Sequence, residues 1–145
     1  SDAPLKTNKQ KVVKSAVVLA NGIPGSKLLV FTRGGVTAHL LAHQRPEFAP
    51  IFAFTPGLHV SRTLMSARGV FPFVMNFADK PGATIEAALQ ILRGRGLVVA
   101  GDPIVILSDA LHDDLVVDSI LLQQGLTEHF LWILCPRVQH APRHQ

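Results

Sequence analysis

Apolar positions alternate between a helical and a strand period along this chain, and the alternation divides it into elements. Val13, Ala16, Val17 and Ala20 share one helical face with Lys11 and Lys14 off it, which predicts a helix over residues 7–20 that stops at Asn21-Gly22-Ile23-Pro24-Gly25. The apolar run at 27–32 predicts a first strand, and 36–44 a short helix closed by Arg45-Pro46, because the residue before a proline is disfavoured in the helical region. Residues 50–55 read as a second buried strand, and a third unit repeats the plan with a helix over 60–68 and a strand over 69–76. Ile85, Ala88, Leu89 and Leu92 form one stripe of an amphipathic helix over 83–93, ended by Gly94 and Gly96. After the turn Gly101-Asp102-Pro103 comes a fourth strand over 104–107, and the polar loop 108–115 leads to a fifth over 116–123. Strands alternating with helices from end to end predict an α/β sandwich with a largely parallel sheet, whose ligands sit beyond the carboxyl ends of the strands.

The first strand runs into Thr32-Arg33-Gly34-Gly35-Val36-Thr37 and so feeds a helix N-terminus. First-turn amides have no intrahelical partner and carry partial positive charge, so with Arg33 and the hydroxyls of Thr32 and Thr37 they make a cradle for phosphate, carboxylate or enolate oxygens. The same glycines also serve any tight strand-to-helix connection.

The 145 residues fit one domain, large enough to bury a core without disulfides or metals. With 48% apolar and 17% charged residues and a mean hydropathy of +0.30, the chain leaves apolar surface for a partner, and a homo-oligomer is expected. No run of 18 uncharged apolar residues and no basic-then-apolar leader is present, so no membrane association is expected and the setting reads as cytoplasmic. The lone Cys135 lies beside the apolar run 130–134 and excludes an internal disulfide and cysteine-based metal motifs. The net charge of +4 comes largely from lysines near the start and arginines near the end, without interleaved aromatics, so nucleic acid is not an expected partner. His39 and His43 share a helix face, but no third ligand is near them in sequence, and no metal or other cofactor is expected.

The order Thr32-Arg33-Gly34-Gly35-Val36-Thr37-Ala38, Arg45-Pro46, Ala49-Pro50-Ile51-Phe52-Ala53-Phe54-Thr55, Arg68-Gly69-Val70-Phe71-Pro72 and Gly101-Asp102-Pro103-Ile104-Val105-Ile106 resembles the C-terminal α/β domain of pyruvate kinase. The resemblance spans residues 14–122, between a helical lead at 1–13 and an extension at 123–145. It implies a three-layer sandwich with a mostly parallel five-stranded sheet, the last strand antiparallel, and a sugar-bisphosphate effector site at the first strand-to-helix turn. It also implies that the kinase machinery belongs to a separate barrel, for which this length has no room. The expectation is a domain standing alone, without kinase activity.

The departures from the family pattern bear on the ligand. The family's turn reads Thr-x-Ser-Gly-x-Ser/Thr-Ala; here Gly34 replaces the serine and Val36 fills the next variable position, while Thr32, Gly35, Thr37 and Ala38 hold. The family's second effector segment is glycine-rich with Arg or Trp, whereas here it carries Asp109, Asp113 and Asp114, which would repel a bisphosphate.

Acid–base chemistry has its candidates at the same edge. His112 with Asp109 or Asp113 is the first choice for a proton-transferring pair, and His59 the second. Thr55, Ser61, Arg62, Asn76 and Asp79 gather from neighbouring turns, and the ligand-binding set is Thr32, Arg33, Gly34, Gly35, Val36, Thr37, Thr55 and Arg62. Such a set suits isomerisation, cyclisation or hydrolysis of a small carbonyl-containing metabolite. The competing expectation is a non-catalytic metabolite-binding, regulatory or oligomerisation module, or a domain excised from a full-length pyruvate kinase. A homodimer would join through the last strand at 116–122 or through 130–134, since an apolar edge is normally paired or covered.

Overall fold

The computed structural model describes residues 3–108, 121–124 and 129–134, with side chains from 10 to 108 except at 81. Helix α1 runs Ala3–Gly22, β1 Lys27–Phe31, α2 Val36–Gln44, β2 Ile51–Thr55 and α3 Leu58–Leu64. They are followed by β3 Val70–Val74, α4 Pro81–Gly94, β4 Pro103–Ser108, β5 Leu121–Gln124 and β6 His129–Leu134.

The strands form one sheet in the order β3-β2-β1-β4-β6-β5. The four strands between residues 27 and 108 are all parallel, with Leu29 opposite both Phe52 and Ile106. The far side differs from the expected five strands ending antiparallel. The last strand, β6, pairs parallel with β4, and β5 is the antiparallel strand, at the outer edge against β6. The expected strand over 116–123 meets β5 only at 121–123, and residues 116–120 lie outside the described ones.

Side-chain alternation sorts the core into two layers. Leu28, Val30, Ile51, Ala53, Val105 and Leu107 face α1, α2 and α3, where Val13, Ala16, Leu41 and Leu64 meet them. Leu29, Phe31, Phe52, Phe54, Ile104 and Ile106 face α4, against Ile85, Leu89 and Leu92. Handedness explains the division. From β1 to β3 the chain steps one way across the sheet, so right-handed crossovers put α2 and α3 on one face, and the return to β4 on the far side of β1 puts α4 on the other. The strand order thus reverses between β1 and β4, and in open α/β sheets the ligand crevice lies beyond the carboxyl ends of the strands at such a point.

Candidate functional site

Thr32 ends β1, and its buried hydroxyl accepts a hydrogen bond from the Gly35 amide at 2.9 Å. Its own amide donates to the Phe54 carbonyl, which fixes the turn to β2. Gly35 is the N-cap of α2 at φ 91°, ψ −6°, in the left-handed region, and no side chain caps the helix. Glycine is required there twice over. The positive φ disfavours any Cβ, and a Cβ would lie 3.1 Å from Val60 Cγ1 of α3 and 3.5 Å from His39 Cδ2. The first turn of α2 is thus held against α3, with exposed Gly34 and Val36 at the rim.

The β2 turn repeats the device, with the buried Thr55 hydroxyl accepting from the Gly57 amide at 3.2 Å. The Thr32 and Thr55 hydroxyls are therefore taken up in shaping their own turns, and the Gly35 amide with them. Further into the first turn of α2, the amides of Val36 and Ala38 have no intrahelical acceptor. Thr37 is buried, so its side chain supports the turn from beneath.

Arg33 is exposed, and its guanidinium lies 5.1 Å from the centre of the Phe77 ring. Phe77 meets Phe31 edge-on at 5.8 Å and packs in the α4 layer, so Arg33 stands on the α4 side of the crevice while the α2 amides stand on the other. Cation and amides thus lie towards opposite faces of the sheet at this edge. His59 and Arg62 are exposed on α3, and Asn76 and Asp79 are exposed beyond β3, while Ser61 is buried. Asp109, His112 and Asp113 lie outside the described residues. The structure adds His39, one helical turn beyond Gly35 with its ring against it. The signal for it was the four-residue spacing, since helical side chains lean back over the preceding turn. Among the described residues no group of three His, Cys, Asp or Glu is placed to hold a metal ion.

At the opposite edge of the sheet, Asp102 joins Lys27 at 2.9 Å and accepts from the Val99 amide at the same distance. Burial alone would raise the Asp102 pKa; the Val99 amide and the Lys27 ammonium outweigh it and hold the carboxyl below 3.8. This pair ties the entry to β1 to the turn before β4.

An open α/β sheet with its crevice at the β1/β4 divergence defines the class, and the comparisons define the family within it. The family model described as "Pyruvate kinase, alpha/beta domain" matches residues 10–113, and the chain belongs to that family. It is 35% identical over 102 residues to "Pyruvate kinase isozyme A, chloroplastic" of Ricinus communis, covering 70% of this chain and 17% of that protein. It is 37% identical over 91 residues to isozyme G of the same plant, covering 63% of this chain and 21% of the relative. The solved pyruvate kinase of Cryptosporidium parvum superposes with a TM-score of 0.62 at 30% identity, covering 68% of this chain and 20% of that one. The chain thus spans about a fifth of the length of these relatives. Among its described residues no helix is long and apolar enough to cross a membrane.

Proposed function

We propose that this chain binds a small carbonyl-containing organic molecule in the crevice beyond β1 and β4 and acts on it by acid–base chemistry of isomerase, cyclase or hydrolase type, not as a kinase. The first turn of α2 is the observation that supports it most. That turn has no side-chain cap, opens at the carboxyl edge of the sheet, and faces an arginine held on the other side of the same crevice. A carbonyl oxygen that gains negative charge as a neighbouring proton leaves would be stabilised between them. Gly34 in place of the family's serine and the uptake of the Gly35 amide by Thr32 leave fewer donors for a bisphosphate. The proton acceptor in this reading is His112, held by Asp109 or Asp113, with His59 and His39 as the other imidazoles at this edge. The working form is a cytoplasmic homodimer joined along β5, the strand at the sheet's outer edge; β6 lies between two strands, so its backbone is paired on both sides.

Coverage of only about a fifth of each relative supports a second reading: a regulatory or oligomerisation module, or one domain of a longer pyruvate kinase, that binds without turnover. Exchange in deuterated water separates the two. The full chain is incubated with a panel of small ketones and 2-oxo acids, and NMR follows the protons next to each carbonyl. The catalytic reading expects accelerated exchange for at least one panel member, reduced about 10²–10⁴-fold by His112→Ala. Binding without exchange selects the module, and full exchange in the alanine variant moves the role to His59 or His39.

A further inference from the structure

Where β2 and β3 begin, at the edge of the sheet remote from the Gly34-Gly35 turn, a cavity of about 380 Å³ opens beside the end of α2. That volume falls within the ~300–1,000 Å³ of small-ligand sites. Ala42, Ala49 and Ile51 supply an apolar wall, and Arg45, Glu47 and Arg68 supply charge. Among the described residues none of these three charged side chains makes an ion pair, although both signs surround one cavity. Arg45 is also the one non-glycine residue with positive φ among them, at φ 55°, ψ 73°. Its amide closes α2 by donating to the Leu41 and Ala42 carbonyls. Glycine performs that closure without strain, and the proline that follows bars the helical alternative for residue 45. Arginine here carries strain that the cap does not require, and it brings a guanidinium to the cavity wall.

We propose that this cavity binds a small carboxylic acid that carries one hydrogen-bond donor, such as a short-chain hydroxy acid. Arg45 and Arg68 take the carboxylate, whose planar geometry matches the guanidinium fork, and Glu47 accepts from the hydroxyl. Ala42, Ala49 and Ile51 cover the carbon body. Two cations and one anion line the site, so a monoanion neutralises it, whereas the second charge of a phosphate would face Glu47. The site is independent of the crevice at the other edge, although α2 carries Gly35 at one end and Arg45 at the other.

The test uses the full chain, labelled with nitrogen-15 and titrated with 3-hydroxybutyrate, butyrate and inorganic phosphate. The amides of Glu47, Ile51 and Gly69 report on this cavity, and those of Gly34 and Val36 on the crevice. Saturable shifts confined to the first group are expected, with 3-hydroxybutyrate binding about fivefold or more tighter than butyrate. Arg68→Gln, on an exposed side chain, is expected to weaken binding about tenfold. Glu47→Gln should reduce the preference for the hydroxy acid, and Arg33→Gln should leave the shifts at Glu47, Ile51 and Gly69 unaltered. The proposal is overturned if no saturable shift appears at tens of millimolar, if phosphate binds as well as the hydroxy acid, or if Arg68→Gln binds like the parent. Because Arg33→Gln probes the crevice alone, failure here leaves the reading of that site standing, and the reverse.

Discussion

Replacing Gly35 by alanine probes the turn on which the crevice is built. The backbone at φ 91° lies where a Cβ meets its own carbonyl, a penalty of about 1–2 kcal/mol. The added methyl would also sit 3.1 Å from Val60 Cγ1, so α3 must retreat by a few tenths of an ångström, adding about 1 kcal/mol of overpacking. The sum is about 2–3 kcal/mol, read as a lower urea midpoint at unchanged slope. Gly34→Ala is the adjacent control. Its Cβ would meet nothing within 4 Å and its φ is not in the left-handed region, so it is expected to be neutral or stabilising by up to about 1 kcal/mol. In a Val60→Ala background the Gly35→Ala loss should shrink by the overpacking share and retain the backbone share. A loss under about 0.5 kcal/mol for Gly35→Ala would refute the reasoning, because neither the strained φ nor the contact with α3 would then hold.

Thr32→Val keeps shape but leaves the buried Gly35 amide without its acceptor, and a loss of about 1–3 kcal/mol is expected in the same denaturation assay. Asp102→Asn is expected to destabilise by about 1 kcal/mol at neutral pH. A carboxyl held below its ordinary value stabilises the fold above that value and ceases to as pH falls through the lower folded one, so the gap between parent and variant should close as melts are carried to acid pH. Leu122→Lys, a charge placed on the edge strand β5, should convert a dimer to a monomer in light scattering at tens of micromolar; a parent already monomeric there removes β5 as a joint.

The central strands were legible because strands covered on both faces read as unbroken apolar runs, as in Leu28-Leu29-Val30-Phe31 and Ile51-Phe52-Ala53-Phe54. Helix α4 was legible from its stripe. The start of α3 was not: the spacing points to 60, but the Thr55 hydroxyl binds the Gly57 amide and lets the helix begin at Leu58. The run 130–134 is visible as apolar sequence, yet its insertion between β4 and β5 depends on pairing between distant segments, which no local period records. The sequence marks the Gly34-Gly35 turn as a cradle of first-turn amides with Arg33, Thr32 and Thr37 beside them; that Thr32 takes the Gly35 amide, and that Arg33 lies over Phe77 on the far face, are packing outcomes. Arg45-Pro46 marks a helix end and a piece of the family pattern but no cavity, because a cavity at strand beginnings needs the sheet to exist first.

Amide chemical-shift mapping of the full chain against the ketone and oxo-acid panel tests the crevice most directly, with Gly34→Val as its partner variant. Gly34 has open space around it, so valine there should leave the fold intact, as a thermal melt would verify, while adding a branched side chain at the exposed rim of the turn. The account expects at least one panel member to move the amides of Gly34, Val36 and Thr37 saturably in the parent, and to bind Gly34→Val at least about tenfold more weakly. Saturable shifts confined to other parts of the surface, or equal affinity in the folded variant, would contradict it.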